Sequence, residues 1–271
     1  MLRLSELSIV ESKGALKDIP EGKVLINTIN AHSFNTAQKD ELFAEALKNG
    51  DYLIPDGASI IQACKFLKAK SQPKERIAGW DLFAFEMQRL ESKRLEVRGE
   101  RLAVRGERLA VSGEKEKLRV MFMGSSEKVL ALIKERAAVD YPHLEVVTYS
   151  PPYKPEFSDE DNVAIIKAIN DANPDLLWIG MTAPKQEKWT YSHWKELNIH
   201  CHVGTIGAVF DFYAGTAKRA PEWWQNHSLE WLYRLCIEPK RMWRRYILGN
   251  PLFVWNVMKE EVMKEEVRGK K

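Results

Sequence analysis

The sequence has few of the features that mark secreted or metal-stapled proteins. Its 271 residues include three cysteines, Cys64, Cys201 and Cys236, and no CxxC pair. An odd, widely spaced set of this kind argues against a disulfide framework or a zinc knuckle. The first eleven residues carry charges and lack an apolar run, so we expect no secretory signal there. A cytoplasmic protein is the expectation.

Long apolar stretches are also lacking. Windows such as residues 252–257 are far shorter than the roughly 18 apolar residues that a membrane span needs. We therefore expect contact with a membrane only at its surface. Hydrophobic residues still make up 45% of the chain and charged residues 29%, which is typical of a folded protein. The length allows one large domain or two small ones.

Excess charge of either sign is small over the whole chain, with 41 basic and 38 acidic residues and a net charge of +3. That total does not mark the chain as a nucleic-acid binder. Residues 216–246, however, carry seven basic and three acidic side chains with aromatic residues between them. Three interpretations stay open: a buried aromatic helix with solvated arginines, a nucleic-acid surface, or a phosphate-and-membrane surface for a lipid-linked substrate.

Short apolar runs alternate with segments of helical spacing along most of the chain. Strands are predicted at residues 23–29, 52–54, 118–123, 144–148, 175–181 and 201–206. Helices are predicted at residues 33–48, 58–69, 79–93, 159–172 and 184–197, with another ending near residue 139. This alternation predicts an α/β fold with a Rossmann-like, mostly parallel sheet flanked by helices.

A seven-residue repeat interrupts the alternation, because RLEVRGE, RLAVRGE and RLAVSGE follow one another over residues 94–114. The spacing of Leu and Val does not fit a coiled coil. Each unit also carries a glycine, which costs about 1 kcal/mol inside a helix. We interpret residues 91–117 as a surface insertion, mobile or loosely helical and without a function of its own.

Ligands in such folds bind beyond the carboxyl ends of the strands, so the residues after each predicted strand are site candidates. Gly124 stands before a predicted helix, where free N–H groups favour an anion, although an ordinary serine N-cap is the simpler interpretation. Lys185 and Gln186 stand at a second helix start. Neither segment matches GxGxxG or a P-loop, which disfavours a nicotinamide-dependent oxidoreductase.

Two carboxylates are candidates for acid–base chemistry. Asp56 lies in a Pro-Asp-Gly turn after the second strand and is either a turn residue or a general base. Asp211 lies between two phenylalanines and is either a buried carboxylate or a loop brace. His200 and His202 share a strand face, but no third ligand is evident, so we expect no metal site.

Several motifs together resemble the WecG/TagA/CpsF glycosyltransferases, glycosyltransferase family 26, over about residues 20–250. They are NTIN at 27–30, IPDG at 54–57, ERIAGWD at 75–81, GMTAPKQEKW at 180–189, GTIGAVFDFYAG at 204–215, RAP at 219–221 and LEWLYRLCIEPKRMWRR at 229–245. The combination and its order are specific, although each motif alone is weak.

The resemblance implies an inverting, metal-independent transferase without a cofactor. Such an enzyme moves an N-acetylmannosamine-type sugar from a UDP donor to an undecaprenyl-diphosphate-linked acceptor in surface-polysaccharide or wall-polymer synthesis. It implies an α/β catalytic domain at residues 1–228 and a C-terminal helical, basic and aromatic appendage at 229–271. The appendage would meet the inner face of the plasma membrane. Within it, residues 258–267 look like a dispensable charged helix.

The resemblance also implies roles for individual residues. Asp56 is the expected general base. The expected substrate-binding residues are Thr28, Asn30, Gly124, Lys185, Gln186, Asp211, Arg219, Arg234, Arg241, Arg244 and Arg245. No nucleic acid is expected as a partner, and a homo-oligomer stays open. The alternative is a non-catalytic nucleotide- or nucleic-acid-binding module that uses the basic aromatic segment.

Overall fold

A six-stranded parallel sheet forms the centre of the computed structural model, which describes residues 1–104, 117–227 and 229–269. The strand order is β2-β1-β6-β5-β3-β4, and every neighbouring pair is parallel. The strands are β1 (Val24–Ile29), β2 (Tyr52–Pro55), β3 (Arg119–Gly124), β4 (Glu145–Tyr149), β5 (Leu176–Gly180) and β6 (His202–Thr205). The α/β prediction with a parallel sheet is confirmed.

Helices connect and flank these strands. Between β1 and β3 along the chain, the helices are α1 (Ala31–Ala37), α2 (Glu41–Asn49), α3 (Ala58–Phe66) and α4 (Gly79–Val104). After β3 come α5 (Glu127–Asp140), α6 (Asp159–Ala172), α7 (Lys185–His193) and, following β6, α8 (Gly207–Ala214). The C-terminal segment holds α9 (Glu222–Asn226), α10 (Glu230–Ile237), α11 (Pro239–Trp243), a π-helical turn (Arg244–Leu248) and α12 (Gly249–Gly269).

Two predicted helices differ most from the observed ones, while those predicted at 58–69 and 184–197 end earlier, at Phe66 and His193. The prediction of one helix over residues 33–48 is wrong, because Asp40 starts a new helix by accepting a hydrogen bond from the Phe43 backbone N–H at 3.0 Å. The predicted helix 79–93 continues to Val104 as α4 and so includes the first unit of the repeat. Residues 105–116, which hold most of the other two units, lie outside the described residues.

Apolar side chains cover both faces of the sheet. Trp178 of β5 is fully buried on one face, and its ring approaches so closely that a Cβ at Gly204 would lie 2.3 Å from it. Met121, Leu177 and Val203 pack on the other face. A parallel sheet covered on both faces fits the near-continuous apolar runs of its strands.

The C-terminal helix α12 is anchored to the first half of the chain. The Phe253 ring packs edge-on against Phe34 of α1, with centroids 5.6 Å apart. Glu260 is buried and accepts hydrogen bonds from the backbone N–H groups of Leu4 (2.9 Å) and Ser5 (2.8 Å). The segment expected to be a dispensable charged helix therefore supplies a buried carboxylate that fixes the N-terminal turn.

Candidate active site

A cavity of about 710 Å³ opens at the carboxyl ends of β1 and β2. Its walls come from the start of α1, one face of α3 along its whole length, the segment before α4, α10, the π-helical turn and α12. The charged and polar lining residues are Asn30, His32, Asp56, Ser59, Gln62, Arg76, Glu230, Arg234, Arg245 and Asn250. The sheet edge predicted to hold the ligand is thus closed over by the basic aromatic segment.

Asp56 is held at the end of β2 by the backbone around it. Its N–H donates to Ile29 O at 2.8 Å, which extends the β1–β2 pairing by one residue. Gly57 follows at φ +158° and begins the turn into α3. The Asp56 side chain keeps 31% of its surface exposed, so a ligand in the cavity can reach it.

Arg76 is a site residue that the sequence analysis did not assign, although it lies in the ERIAGWD motif. The next residue, Ile77, donates its N–H to Pro55 O at 3.0 Å and so pins this segment beside β2. The Arg76 guanidinium lies 3.6 Å from Asp56 Oδ1 and donates to Glu230 Oε2 at 2.6 Å. One arginine therefore links the β2 carboxylate to α10.

The surroundings of Asp56 raise its pKa. Burial is the largest cause, and the positive charge of Arg76 opposes it. For Arg76, burial alone would lower the pKa, but the charges of Asp56 and Glu230 outweigh it and the pKa is raised. A carboxylate with a raised pKa inside a cleft is what a general base needs, because its affinity for a proton moves towards working pH.

Two further arginines of the C-terminal segment face the cavity. Arg245 has a buried Nε without a hydrogen-bond partner among the described residues, and burial lowers its pKa. Arg234 lies over the Phe212 ring at 5.7 Å. Guanidinium groups present planar forks of N–H donors that suit phosphate oxygens, so this wall can receive a diphosphate.

His32 also lines the cavity and was missed by the sequence analysis. Burial, followed by the charge of Arg245, lowers its pKa to about 4. The imidazole is therefore neutral at physiological pH and can donate or accept a hydrogen bond there. Its position two residues after the NTIN motif is the signal that could have found it.

Of the predicted site residues, the cavity brings together Asn30, Asp56, Arg234 and Arg245. Asn30 also caps α1, since its Oδ1 accepts from the N–H groups of His32 and Ser33 at 3.0 Å each. Thr28 lies two residues earlier in β1 and is paired with Ile54 of β2. It is close to this edge in sequence but outside the cavity lining.

Gln186 is 4% exposed and lies inside the protein. Its Oε1 accepts from the N–H groups of Met181 (3.1 Å) and Gly207 (3.2 Å), and its Nε2 donates to Glu187 Oε1 at 2.8 Å. These bonds join the loops after β5 and β6. The polar atoms of Gln186 are thus bonded within the protein, and its contact with substrate hydroxyls stays a prediction.

Lys185 and Gly124 lie outside the cavity lining as well. The Lys185 ammonium donates to Lys154 O at 2.5 Å and lies 3.4 Å from the centroid of the Phe157 ring. Gly124 has φ +117°, and a Cβ there would lie 2.4 Å from Gly180 O, so the strand packing explains this glycine. Ser126 caps α5 through the Val129 N–H at 3.4 Å, as the simpler interpretation of that segment predicts.

The remaining predicted residues are spread over the surface. Asp211 is exposed, not buried, and its Oδ1 accepts from the Thr216 hydroxyl at 3.4 Å, which favours the loop-brace interpretation. Arg219 lies over the Trp80 ring at 5.5 Å. Arg241 pairs with Glu238 at 2.8 Å. Arg244 lies over the Trp243 ring at 5.4 Å.

Of the two histidines expected to share a strand face, only His202 lies on β6, and His200 precedes the strand and is exposed. His202 is buried, with Nδ1 3.0 Å from Glu86 Oε1 and Nε2 2.8 Å from Pro20 O. Within the described ranges, no group of three or more His, Cys, Asp and Glu side chains is placed to hold a metal ion.

Comparison with known proteins decides the family. The sequence model of the "Glycosyl transferase WecG/TagA/CpsF family" matches residues 2–98 and 106–267. The chain belongs to this glycosyltransferase family. The resemblance drawn from the motifs is therefore confirmed, and the cavity at Asp56 is the candidate active site of a glycosyltransferase.

Two curated relatives share most of their length with the chain. The N-acetylglucosaminyldiphosphoundecaprenol N-acetyl-beta-D-mannosaminyltransferase of Bacillus subtilis (strain 168) is 28% identical over 241 residues, which cover 89% of this chain and 81% of the relative. The protein of the same name from Bacillus spizizenii is 29% identical over 236 residues, covering 87% of this chain and 79% of the relative.

Proposed function

We propose that this glycosyltransferase moves an N-acetylmannosamine-type sugar from a UDP-sugar to a polyprenyl-diphosphate-linked acceptor, with inversion at the anomeric carbon. The product would serve cell-surface polysaccharide or wall-polymer synthesis. One observation carries the proposal: a single cavity joins the carboxylate of Asp56 to the guanidinium groups of Arg76, Arg234 and Arg245. The names of the two Bacillus relatives supply the sugar and the lipid-linked acceptor.

The proposed reaction is a single displacement. The acceptor hydroxyl forms a bond to the anomeric carbon while the bond from that carbon to the UDP oxygen breaks. The hydroxyl proton passes to the Asp56 carboxylate, and the electron pair of the broken bond leaves on the UDP phosphate. Attack from the face opposite the leaving group inverts the configuration.

Fixed positive charge supports the departure of UDP in this mechanism. Negative charge develops on the leaving phosphate in the transition state, and preorganised cations in a partly closed site stabilise it. Arg245 offers a buried Nε without a partner among the described residues, which a phosphate oxygen would satisfy. We assign this role to arginine side chains, so the proposal includes activity without a bound metal or cofactor.

The test is a turnover assay with UDP-N-acetylmannosamine and a GlcNAc-diphosphate-prenyl acceptor, run with and without EDTA. We expect UDP release in both conditions and one new β-linkage, seen by NMR of the product. If UDP were not released from any UDP-sugar tried, the proposed reaction would be wrong. Loss of activity in EDTA would remove the metal-independent part.

We also propose that the enzyme works at the cytoplasmic membrane surface. Among the described residues, no helix combines the length and the apolar character needed to cross a bilayer. The C-terminal segment exposes apolar side chains beside the basic residues Lys240, Arg241 and Arg244. These apolar residues are Ile237, Trp243, Ile247, Leu248, Leu252 and Trp255. Aromatic and basic side chains side by side suit an anionic lipid surface.

Vesicle flotation tests this second proposal. The pair Trp243→Ser and Trp255→Ser should weaken binding to anionic vesicles, because both rings are exposed, at 41% and 65%. Tyr153→Ser, an exposed aromatic in the loop after β4, is the matched control and should float like the wild type. Equal flotation of all three proteins would contradict the assignment of this surface.

A further inference from the structure

The cavity changes from polar to apolar along α3. After Ala58 at its first position, the residues of α3 that line the cavity are Ser59, Gln62, Ala63 and Phe66, a spacing that places these four on one helix face. The two polar residues come first, next to Asp56. Phe66 lies about 10 Å farther along the helix axis than Ser59, at a rise of about 1.5 Å per residue.

Helix α12 repeats this order on the facing wall. Asn250 comes first, and Phe253, Val254, Val257 and Met258 follow, again on one helix face. Lys264 of α12 donates to the Leu67 carbonyl at the end of α3, so the C-terminal halves of the two helices lie together. The apolar ends of both walls therefore meet at the same end of the cavity.

This apolar end has a rigid floor and an uncovered rim. Ala63, Phe253 and Val257 are 5–6% exposed and pack into the core with α1. Phe66, Val254 and Met258 also line the cavity, yet they are 57%, 55% and 54% exposed. Covering such apolar surface is favourable in proportion to the area removed from water, and an uncovered concave patch is typical of a ligand groove.

We propose that the groove between α3 and α12 binds the first isoprene units of the lipid acceptor. This assignment rests on the proposed function, and it adds to that function a subsite for the isoprenoid chain of the acceptor. In a polyprenyl diphosphate the apolar chain begins at the phosphate. With Arg245 facing the departing UDP, a lipid diphosphate beside Arg234 directs the isoprenoid chain past Trp231 towards Val254 and Phe66. A nucleotide sugar is polar throughout and has no group that matches this end.

Binding of short prenyl diphosphates tests the subsite without turnover. Methyl, isopentenyl and farnesyl diphosphate share one headgroup, and titration calorimetry measures their affinity for the full-length protein without detergent. We expect farnesyl diphosphate to bind at least tenfold more tightly than methyl diphosphate, since each buried methylene adds favourable transfer free energy. The heat capacity change should also become more negative with chain length.

Two valines of α12 form a matched pair for locating the chain. Val254 lines the cavity and Val262 does not, while their exposed fractions are 55% and 56%. Val254→Ser should weaken the binding of farnesyl diphosphate about fivefold, and Phe66→Ser should weaken it about tenfold. The affinity for methyl diphosphate should be unchanged in both variants. Val262→Ser should bind all three probes like the wild type.

Two results would overturn the subsite. Equal affinity for the three probes would show that no chain is bound, and equal effects of the two valine variants would place the chain elsewhere. The turnover assay separates this failure from that of the proposed function. If sugar transfer did not depend on the prenyl chain length of the acceptor, the proposed reaction would be supported and the subsite would be contradicted. Chain-length-dependent binding without transfer would keep the subsite and remove the proposed reaction.

Discussion

Replacing Arg76 by glutamine should move the acid limb of the pH–rate profile to higher pH. Arg76 opposes the rise in the pKa of Asp56, so its removal lets that pKa rise further. A general base works only when deprotonated, so the rate falls as pH drops through its pKa. The variant should therefore lose activity at a higher pH than the wild type does.

The distance between the two groups sets the size of this shift. At 3.6 Å and an effective dielectric constant of about 20, two unit charges interact by about 4–5 kcal/mol. Solvent reaches both side chains, which are 23% and 31% exposed, and Glu230 offsets part of the charge of Arg76. We expect roughly a third of that energy to remain, which corresponds to about one pH unit.

The assay is kcat/KM for sugar transfer measured from about pH 5 to 9, with circular dichroism to confirm folding. Glu230→Gln should shift the limb the other way, because the charge of Glu230 raises the pKa of Asp56. Arg241→Gln is the control, since Arg241 pairs with Glu238 outside the cavity lining. An acid limb that stays in place or moves to lower pH in Arg76→Gln would refute this reasoning.

Three further predictions concern stability. Glu260→Ala leaves two backbone N–H groups without their acceptor and should lower the free energy of unfolding, measured in urea, by about 1–3 kcal/mol. Glu265→Ala, at an exposed position, should lower it by less than ~0.5 kcal/mol. Equal losses in the two variants would contradict the anchoring role of Glu260. Burial raises the pKa of Glu187 to about 7, so the folded protein holds a proton that the unfolded chain releases, and stability falls as pH rises from about 5 to 7. Glu187→Gln has no carboxyl to titrate, so its free energy of unfolding should rise by roughly 2–3 kcal/mol relative to that of the wild type between pH 5 and pH 8. If the difference between the two proteins stayed constant with pH, the raised pKa of Glu187 would be contradicted. Gly204→Ala places a Cβ 2.3 Å from the Trp178 ring and should lower the free energy of unfolding by about 1–3 kcal/mol; an unchanged value would mean that the sheet face is loosely packed.

The positions of the six strands could be predicted from the sequence, because parallel strands buried on both faces are short apolar runs. Asp56 and Asn30 could be placed at one edge because each directly follows such a run. The break between α1 and α2 was missed, since helical spacing continues across it and only the capping bond of Asp40 separates the two helices. Local pattern thus gives the elements and the residues attached to their ends.

The rest of the site depends on pairings between distant segments. Arg76 and Glu230 are 154 residues apart, and no local period links them. The bonds from the Met181 and Gly207 N–H groups to Gln186 form only when two loops pack together, so the sequence did not predict them. The wall formed by α12 also escaped prediction, because its charged sequence hides the buried positions of Phe253 and Glu260.

The central claim is that Asp56 removes the acceptor proton during glycosyl transfer. The most direct test compares kcat of the wild type and Asp56→Asn with UDP-N-acetylmannosamine and a GlcNAc-diphosphate-prenyl acceptor. Asparagine keeps the shape of the side chain but cannot take the proton, so kcat should fall at least ~100-fold, with KM changing only a few-fold. Turnover of the variant at the wild-type rate would contradict the account.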